Sequence, residues 1–438
     1  MFLKYTGKIN KNEIILSDKL ISESKIIYKR ILLHVGCWKR ELSVKYLDDW
    51  PANEIGLSKN LAKDFTLPDS IPYKVRFEER NIYLGPVIGL LLVTKHQTLT
   101  PEFLSAYKCY LLNYNKVQGL VFIGSSEGIN IENQTIKGYF YKPDAEGSWL
   151  EGVFPYPDAL YRRVGIPNKK YDDLVMHIGD RIFNTYFFDK WELWECLSPY
   201  EEIRPHLPYT EKLTDADMLT KTLEDYNTVY LKKSSGQKSA GIYRVIKSDN
   251  GYEFISRFGK RYVFANLEKV SKFLQEITQK NGSYLVQQAI KGKEIENRNF
   301  DMRVVLQKDQ SKEWSCTSMI ARFGGTGNIT SNIGLGGLAK PGKEALKQIF
   351  NLSEEEAVVM EKDIVYLCCK VCKKLNQSIG HYGDLGIDVI IDENRKIWIL
   401  EVNKLHYHHY PVYALKDKQM YFDTASKPIS YASALAGF

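Results

Sequence analysis

The stretch DLGIDVIIDENRKIWILEVN, residues 384–403, decides the reading of the chain. Apolar runs at 389–391 and 397–402 flank the turn residues 392–395, which predicts an antiparallel strand pair. Asp388 opens the first strand; Glu401 and Asn403 end the second. Residues two apart in an extended chain project to one face, so Glu401 and Asn403 share one and Val402 turns to the core. Antiparallel pairing would bring Asp388 to the same face. Two carboxylates and an amide oxygen form a hard donor set that suits Mg²⁺ and leaves positions for phosphate oxygens. Alone, the set fits a polar strand end at the surface equally well.

Further candidates lie upstream. Residues 228–233 read as a strand that delivers Lys232 to the loop KSSGQKSAG, 233–241. Small loop residues, Ser235, Gly236 and Gly241 among them, let backbone N–H groups approach a polyphosphate, and Lys232 adds a positive charge. The loop lacks the GxxxxGK[ST] pattern, and no GxGxxG opens a helix, which excludes the usual dinucleotide site. Asp301 and Arg303 fall on one face of a strand at 302–307. Arg322 follows a strand at 315–320. Arginine suits two-point phosphate contact, although a surface Asp–Arg pair is the plainer reading. The glycine-rich run 323–337 is either a cover for substrate or a mobile connection. Helices are expected at 189–197, from a cap at Thr214 with Asp217 to 225, at 267–277, and from the Ser353/Glu356 capping box to 375. Residues 284–290 read as a further strand.

Working outward, residues 81–180 alternate strands (81–94, 119–124, 159–164) with a helix at 104–112, which suggests a parallel sheet. Residues 1–80 read as a small β-rich module. Its basic cluster (Lys25, Lys29, Arg30, Lys39, Arg40) is read as a solvated strand face rather than a nucleic-acid contact. The division expected is 1–80, 81–180, 181–410 and a C-terminal tail, 411–438. The 438 residues are 44% hydrophobic and 26% charged with net charge +7. That composition excludes extended disorder, and the weak basic excess argues against nucleic acid as the main partner. The opening MFLKYTGKIN has no apolar signal core, and the longest apolar run, Val87–Val93, is too short to span a bilayer. A cytoplasmic protein without membrane contact is expected. Its seven cysteines, in no framework spacing, point to a reducing compartment. Cys368, Cys369 and Cys372 lie in a helical apolar pattern and are read as core packing rather than a metal cluster. His406, His408 and His409 are read as an ordinary loop in preference to a transition-metal site.

The order of these features (lysine helix, lysine strand with glycine loop, apolar hinge, DxR strand, SN/GG loop, D…ExN) resembles the ATP-grasp superfamily. Segments such as YLGPVIGLLL, FPYPDALYRRV, FFDKWELWECL, VYLKKSSGQKSAGI, FDMRVVLQK and SNIGLGG resemble the YheC/YheD-type ATP-grasp proteins, described as endospore coat-associated, over residues 81–403. The resemblance implies an α/β (α+β) ATP-grasp fold after a pre-ATP-grasp domain, and binding of ATP with Mg²⁺, which Mn²⁺ can replace. It implies that Lys190 and Lys232 are the nucleotide lysines. Gln287, Gln288, Ala289 and Ile290 would hold adenine by backbone groups, and Glu294 the ribose. Asp388, Glu401 and Asn403 would ligate the metal. Arg303 and Lys232 would act on the transferred phosphoryl group, Arg322 would be a catalytic residue that orients substrate, and Ser331, Asn332 and Gly336 would meet substrate. The implied activity is ATP-dependent joining of a carboxylate, small-molecule or peptide, to an amine through an acylphosphate. Spore-coat proteins are among the partners implied. A non-catalytic ATP-binding coat or assembly protein is the alternative, motivated by departures at Lys233, Lys238, Ser239 and the run KLHYHHY after Asn403.

Overall fold

Strict alternation of polar and apolar residues builds the sheet that carries the D…ExN stretch. Val304, Leu306, Leu385, Ile387, Val389 and Val402 fall on one face and join one buried apolar core. Asp301, Arg303, Gln307, Asp384 and Asp388 fall on the other. The sheet has the strand order Leu338–Pro341, Trp314–Phe323, Phe300–Lys308, Asp384–Ile391, Ile397–Asn403. Helices Gly342–Phe350 and Glu354–Ser378 supply the other side of that core through Ala345, Leu346, Ile364, Leu367 and Leu375. Ser353 caps the longer helix, and the Glu356 carboxylate accepts in return from the Ser353 N–H at 2.8 Å, as the capping box predicts.

These elements belong to a computed structural model of the whole chain. It describes all residues except 25–27, 48, 62–64, 145–146, 236–240, 250, 294, 296–297, 326–336 and 410–414, and leaves the side chains of 23 and 24 undescribed. The chain forms two compact units. The first comprises Met1–Thr185, Lys308–Glu313 and Phe422–Phe438; the second comprises Tyr186–Gln307 and Trp314–Tyr421.

The second unit holds another antiparallel sheet, in the order Thr210–Lys212, Tyr284–Gln288, Thr228–Lys233, Tyr243–Ser248, Gly251–Ser256, Arg261–Phe264. Helices Ala216–Tyr226 and Leu267–Asn281 cover it, burying Leu219, Leu223, Val270 and Leu274 against Val229, Leu231, Val245 and Val286. The cap of the first of these helices is Asp215, which accepts from the Met218 N–H at 2.8 Å, not Thr214 as expected. Asp215 is the better placed because its carboxylate reaches the N–H three residues on.

The first unit contains two sheets that share one apolar core. The apolar stretch read as one strand, 81–94, is two. Asn81–Gly85 joins the N-terminal sheet and Val87–Val93 the next one, with Pro86 between them, where a residue without an N–H cannot continue a ladder. The second sheet is mixed rather than parallel. Leu120–Asn130, Val87–Val93, Ala159–Arg162 and Ile182–Phe183 run parallel, and Thr135–Lys142 with Ser148–Pro155 extends them as an antiparallel hairpin. Residues 411–438, expected as a tail, include the helix Lys418–Leu435. Within the first unit its Tyr431 packs edge-on against Phe183, ring centroids 5.1 Å apart.

Cys368 and Cys372 are buried in the second unit's core, and burial pushes the Cys368 thiol well above its ordinary value. Both should therefore react with a thiol reagent at least about 100-fold more slowly in the native protein than in denaturant. Fast labelling of both in the native protein would contradict the packed helix.

Candidate functional site

The sheet register assembles the polar face. Arg303 lies opposite Asp388, Asp388 opposite Glu401, and Gly386 opposite Asn403. Arg303 grips Asp388 with two bonds, one from Nε to Oδ1 and one from Nη2 to Oδ2 at 3.0 Å. Arg322, from the neighbouring strand, reaches Asp388 Oδ1 at 3.1 Å. It also forms a two-point pair with Asp301, both contacts 2.6 Å. The Asn403 amide nitrogen donates to Asp388 Oδ2 at 3.3 Å. Asp301, Arg303, Arg322 and Asp388 are buried, so the plain reading of Asp301 and Arg303 as a surface pair does not hold: each is bonded to a residue of another strand. Burial alone would raise the Asp388 carboxyl, but Arg303 and Arg322 together bring it down to about 2.

The lysines come from elsewhere in the unit. Asp189 caps helix Lys190–Leu197, accepting from the N–H groups of Trp191 and Glu192 at 2.8 and 2.9 Å. The same carboxylate accepts from Ser234 Oγ at 2.7 Å, and the Lys190 N–H donates to the Ser234 carbonyl at 3.2 Å. Ser234 follows directly on strand Thr228–Lys233, so one carboxylate ties the lysine helix to the strand that carries Lys232. Lys190 Nζ stands 3.6 Å from Glu401 Oε1. Lys232 donates to Gln287 Oε1. Its ammonium is lowered to about 8, chiefly by burial and further by Lys190, with Glu401 and Asp388 opposing. Those causes place both lysines in the field of the carboxylate row.

The hinge is partly committed. The Gln288 N–H donates to the Tyr209 carbonyl at 2.8 Å and the Ala289 N–H to the Thr228 carbonyl at 3.2 Å. Gln287 uses its side chain on Lys232 and on Thr210. Ile290 follows at the strand's exit. Gly241 closes the glycine loop at φ +73°, where an added Cβ would lie 2.8 Å from Lys233 Cδ and from Tyr284 Oη; only glycine suits both demands. Ser235 is exposed at the loop's start. Gly236, Glu294, Ser331, Asn332 and Gly336 lie outside the described residues.

Sequence reading missed three members of this neighbourhood. Asp189 was legible as the start of a D-x-x-E capping box. Lys404 donates to the Phe188 carbonyl, and burial, with Lys190 nearby, lowers its ammonium. Only its place after ExN signals it. Asp384 is enclosed on the same strand face as Asp388 and meets His406 and His408. The loop expected at those histidines is therefore buried at both of them.

The chemistry of the donor set fits a hard cation. Asp388 is ionised, Glu401 is the least buried carboxylate of the row, and Asn403 spends its nitrogen on Asp388 and not the oxygen a cation would take. Beside them Lys190 and Lys232 supply positive charge of the kind the phosphates of a polyanion require.

The chain is similar to several known proteins. A family model described as YheC/D like ATP-grasp matches residues 179–435, more than half of the chain. Endospore coat-associated protein YheD of Bacillus subtilis (strain 168) is 25% identical over 364 residues, 79% of this chain and 78% of that one. Endospore coat-associated protein YheC of the same organism is 22% identical over 273 residues, 59% and 73% of the two chains. Among solved structures, the VanG D-Ala:D-Ser ligase of Enterococcus faecalis is similar with TM-score 0.45 and 13% identity, covering 79% of this chain and 98% of its own.

Asp388→Asn should destabilise the protein by about 3–5 kcal/mol in urea unfolding, because the buried Arg303 guanidinium loses its counter-charge while Arg322 keeps only Asp301. Glu393→Ala, which breaks an exposed pair with Lys291, should change stability by under about 1 kcal/mol. The Asp388 contribution is fully present above the unfolded carboxylate range, about pH 4. It fades as pH falls towards about 2, so parent and Asp388→Asn should converge in acid.

Proposed function

The chain belongs to the YheC/D-like ATP-grasp family, and from that premise we propose that it is an ATP-dependent carboxylate–amine ligase. The observation that carries the reading is the cross-strand row Arg303–Asp388–Glu401 with Lys190 and Lys232 in its field. Lys190 and Lys232 neutralise the nucleotide phosphates. The loop bordered by Ser235 and Gly241, with Gly236 inside it, covers them. Adenine is read at the hinge by groups other than the Gln288 and Ala289 N–H, which the sheet already uses. Glu294 takes the ribose, and Ser331, Asn332 and Gly336 meet the acceptor. Asp388, Glu401 and Asn403 would hold Mg²⁺ or Mn²⁺, which when bound supplies positive charge to the phosphate oxygens.

In the first step a substrate carboxylate oxygen attacks the γ-phosphorus. The bond from that phosphorus to the bridging oxygen breaks and ADP leaves, giving an acylphosphate. In the second, an amine nitrogen attacks the acyl carbon. The bond from that carbon to the phosphate oxygen breaks, inorganic phosphate leaves, and the nitrogen loses its proton to solvent. Arg303 and Arg322 meet the negative charge that gathers on the transferred group. Both guanidiniums are held by carboxylates beforehand, so little reorganisation is needed when that charge develops. The acid and amine are small molecules or peptides. Because relatives carry the name endospore coat-associated protein, we assign the reaction to sporulation, with coat proteins among its partners. The setting is the cytoplasm or the coat itself. No helix among the described residues is long and apolar enough to cross a membrane.

Pooled acids and amines incubated with ATP and Mg²⁺ should yield ADP and an amide detectable by mass. Glu401→Ala should lower ADP release at least about 100-fold. Release at the parental rate in that variant would sink the site assignment. Tight ATP binding with no product across the pool would favour the non-catalytic coat or assembly role.

Lys232 also gives the site a pH signature. With its free value at about 8, a bound polyphosphate restores the charged form. Binding at about pH 8.5 should therefore take up a proton, and affinity should fall as pH rises above 8 by at most about 10-fold per unit. Calorimetry in buffers of different ionisation enthalpy reads the uptake, and Lys232→Met should abolish it.

A further inference from the structure

We propose that Asp384, His406 and His408 form a binding site for a transition-metal ion of the zinc class, separate from the nucleotide site. His406 Nε2 lies 2.9 Å from Asp384 Oδ1, and His408 Nε2 lies 2.8 Å from Asp384 Oδ2. One ligand atom from each residue falls within 4.8 Å of the other two, and the side chains in both pairs are fully enclosed. A carboxylate with two imidazole nitrogens is a borderline donor set that suits Zn²⁺, Co²⁺ or Fe²⁺ better than Mg²⁺, which favours oxygen.

The surroundings are built for these groups. Gln307 Nε2 donates to Asp384 Oδ1 at 2.8 Å, the kind of outer contact that orients a ligating carboxylate. Gly386 leaves the room: a Cβ there would lie 3.0 Å from both Cβ and Cγ of His406 and 3.2 Å from Arg303 Cδ. The two imidazole rings, centroids 4.7 Å apart, both turn Nε2 to one carboxylate. Burial would raise the Asp384 carboxyl, yet His406 and His408 hold it well below its ordinary value, so it is ionised as a ligand must be. A metal-free triad would also satisfy these atoms, with each Nε2–H donating to the carboxylate. Metal binding at both Nε2 atoms replaces these N–H bonds; each neutral ring then carries its proton on Nδ1, and only a ring that was doubly protonated releases one. The bound ion would staple the segment after Asn403 to strand Asp384–Ile391.

The test uses the full chain without an affinity tag, stripped with chelator, in the absence of nucleotide and amine. Failure here is thus independent of failure of the ligase reading. Co²⁺ should bind stoichiometrically with ligand-field absorption in the visible. Zn²⁺ at about 100 times its dissociation constant should raise the melting temperature by roughly 5 °C. His406→Gln and His408→Gln should each weaken Co²⁺ binding about 100-fold or more, whereas Glu401→Gln should leave the spectrum in place. Excess Mg²⁺ should not displace the Co²⁺, a readout on the parent protein that stands even if the histidine variants misfold. Absence of the absorption band together with an unmoved melting temperature would overturn the proposal. Loss of the band in Glu401→Gln, or its displacement by Mg²⁺, would overturn it as well.

Discussion

An ionised carboxylate in the interior, Asp388, is the constraint on which the geometry of the sheet's polar face depends. Removing a carboxylate from water costs several kcal/mol unless its partners are well placed. Here Arg303 makes two contacts, Arg322 a third, and the Asn403 amide a fourth. Arg322 is in turn held by Asp301. The members come from four strands, so the network specifies register. A slip of one residue in any of these strands would drive these groups into the apolar core and turn Val304 or Ile387 towards the polar face. A hydrophobic replacement of the whole network could be as stable, as buried ion clusters elsewhere suggest. Its retention here is better explained by what it holds ready: two guanidiniums fixed in orientation, and one carboxylate fixed in its charge.

Positioning of the lysines rests on a different device. Lys190 is the first residue of a helix and Lys232 lies near the end of a strand, and long side chains are poorly specified by themselves. Asp189 links the two. It satisfies the N–H groups at the start of the lysine helix and takes the Ser234 hydroxyl as well. The helix start and the loop start therefore move together. Burial of Lys232 has a second effect. A desolvated ammonium near its own pKa gains more from a phosphate than a solvated one, because the partner restores a charge the interior disfavours.

Local periodicity made much of this visible in the sequence. Alternation in the strand ending at Asn403 fixed which of Glu401, Val402 and Asn403 face together, and the D-x-x-E and S-x-x-E boxes mark two helix starts. The order of motifs carried the superfamily, and the family model agrees. Long-range partners were not visible. Nothing near Arg303 names Asp388, 85 residues on, as its partner rather than Asp301. The strands Gly251–Ser256 and Arg261–Phe264 were passed over, since segments of 6 and 4 residues are too short for alternation to stand out. The histidine run was read as a loop because its burial depends on Asp384, 22 residues earlier in the chain.

Asp384 and Asp388 share one strand face, four residues or about 13 Å apart along the chain. Gly386 lies between them, with His406 and Arg303 packed over the space a side chain would fill. The two polar centres are thus neighbours across Gly386. His406 and Arg303 both border the space above Gly386, and Arg303 is the main brace of Asp388. The segment that carries His406 also begins directly after Asn403. Fixing that segment against Asp384 therefore constrains the end of the strand that carries Glu401 and Asn403. In a site whose chemistry depends on charges already in position, such bracing acts where the strand pair would otherwise fray, at the exit of the strand Ile397–Asn403.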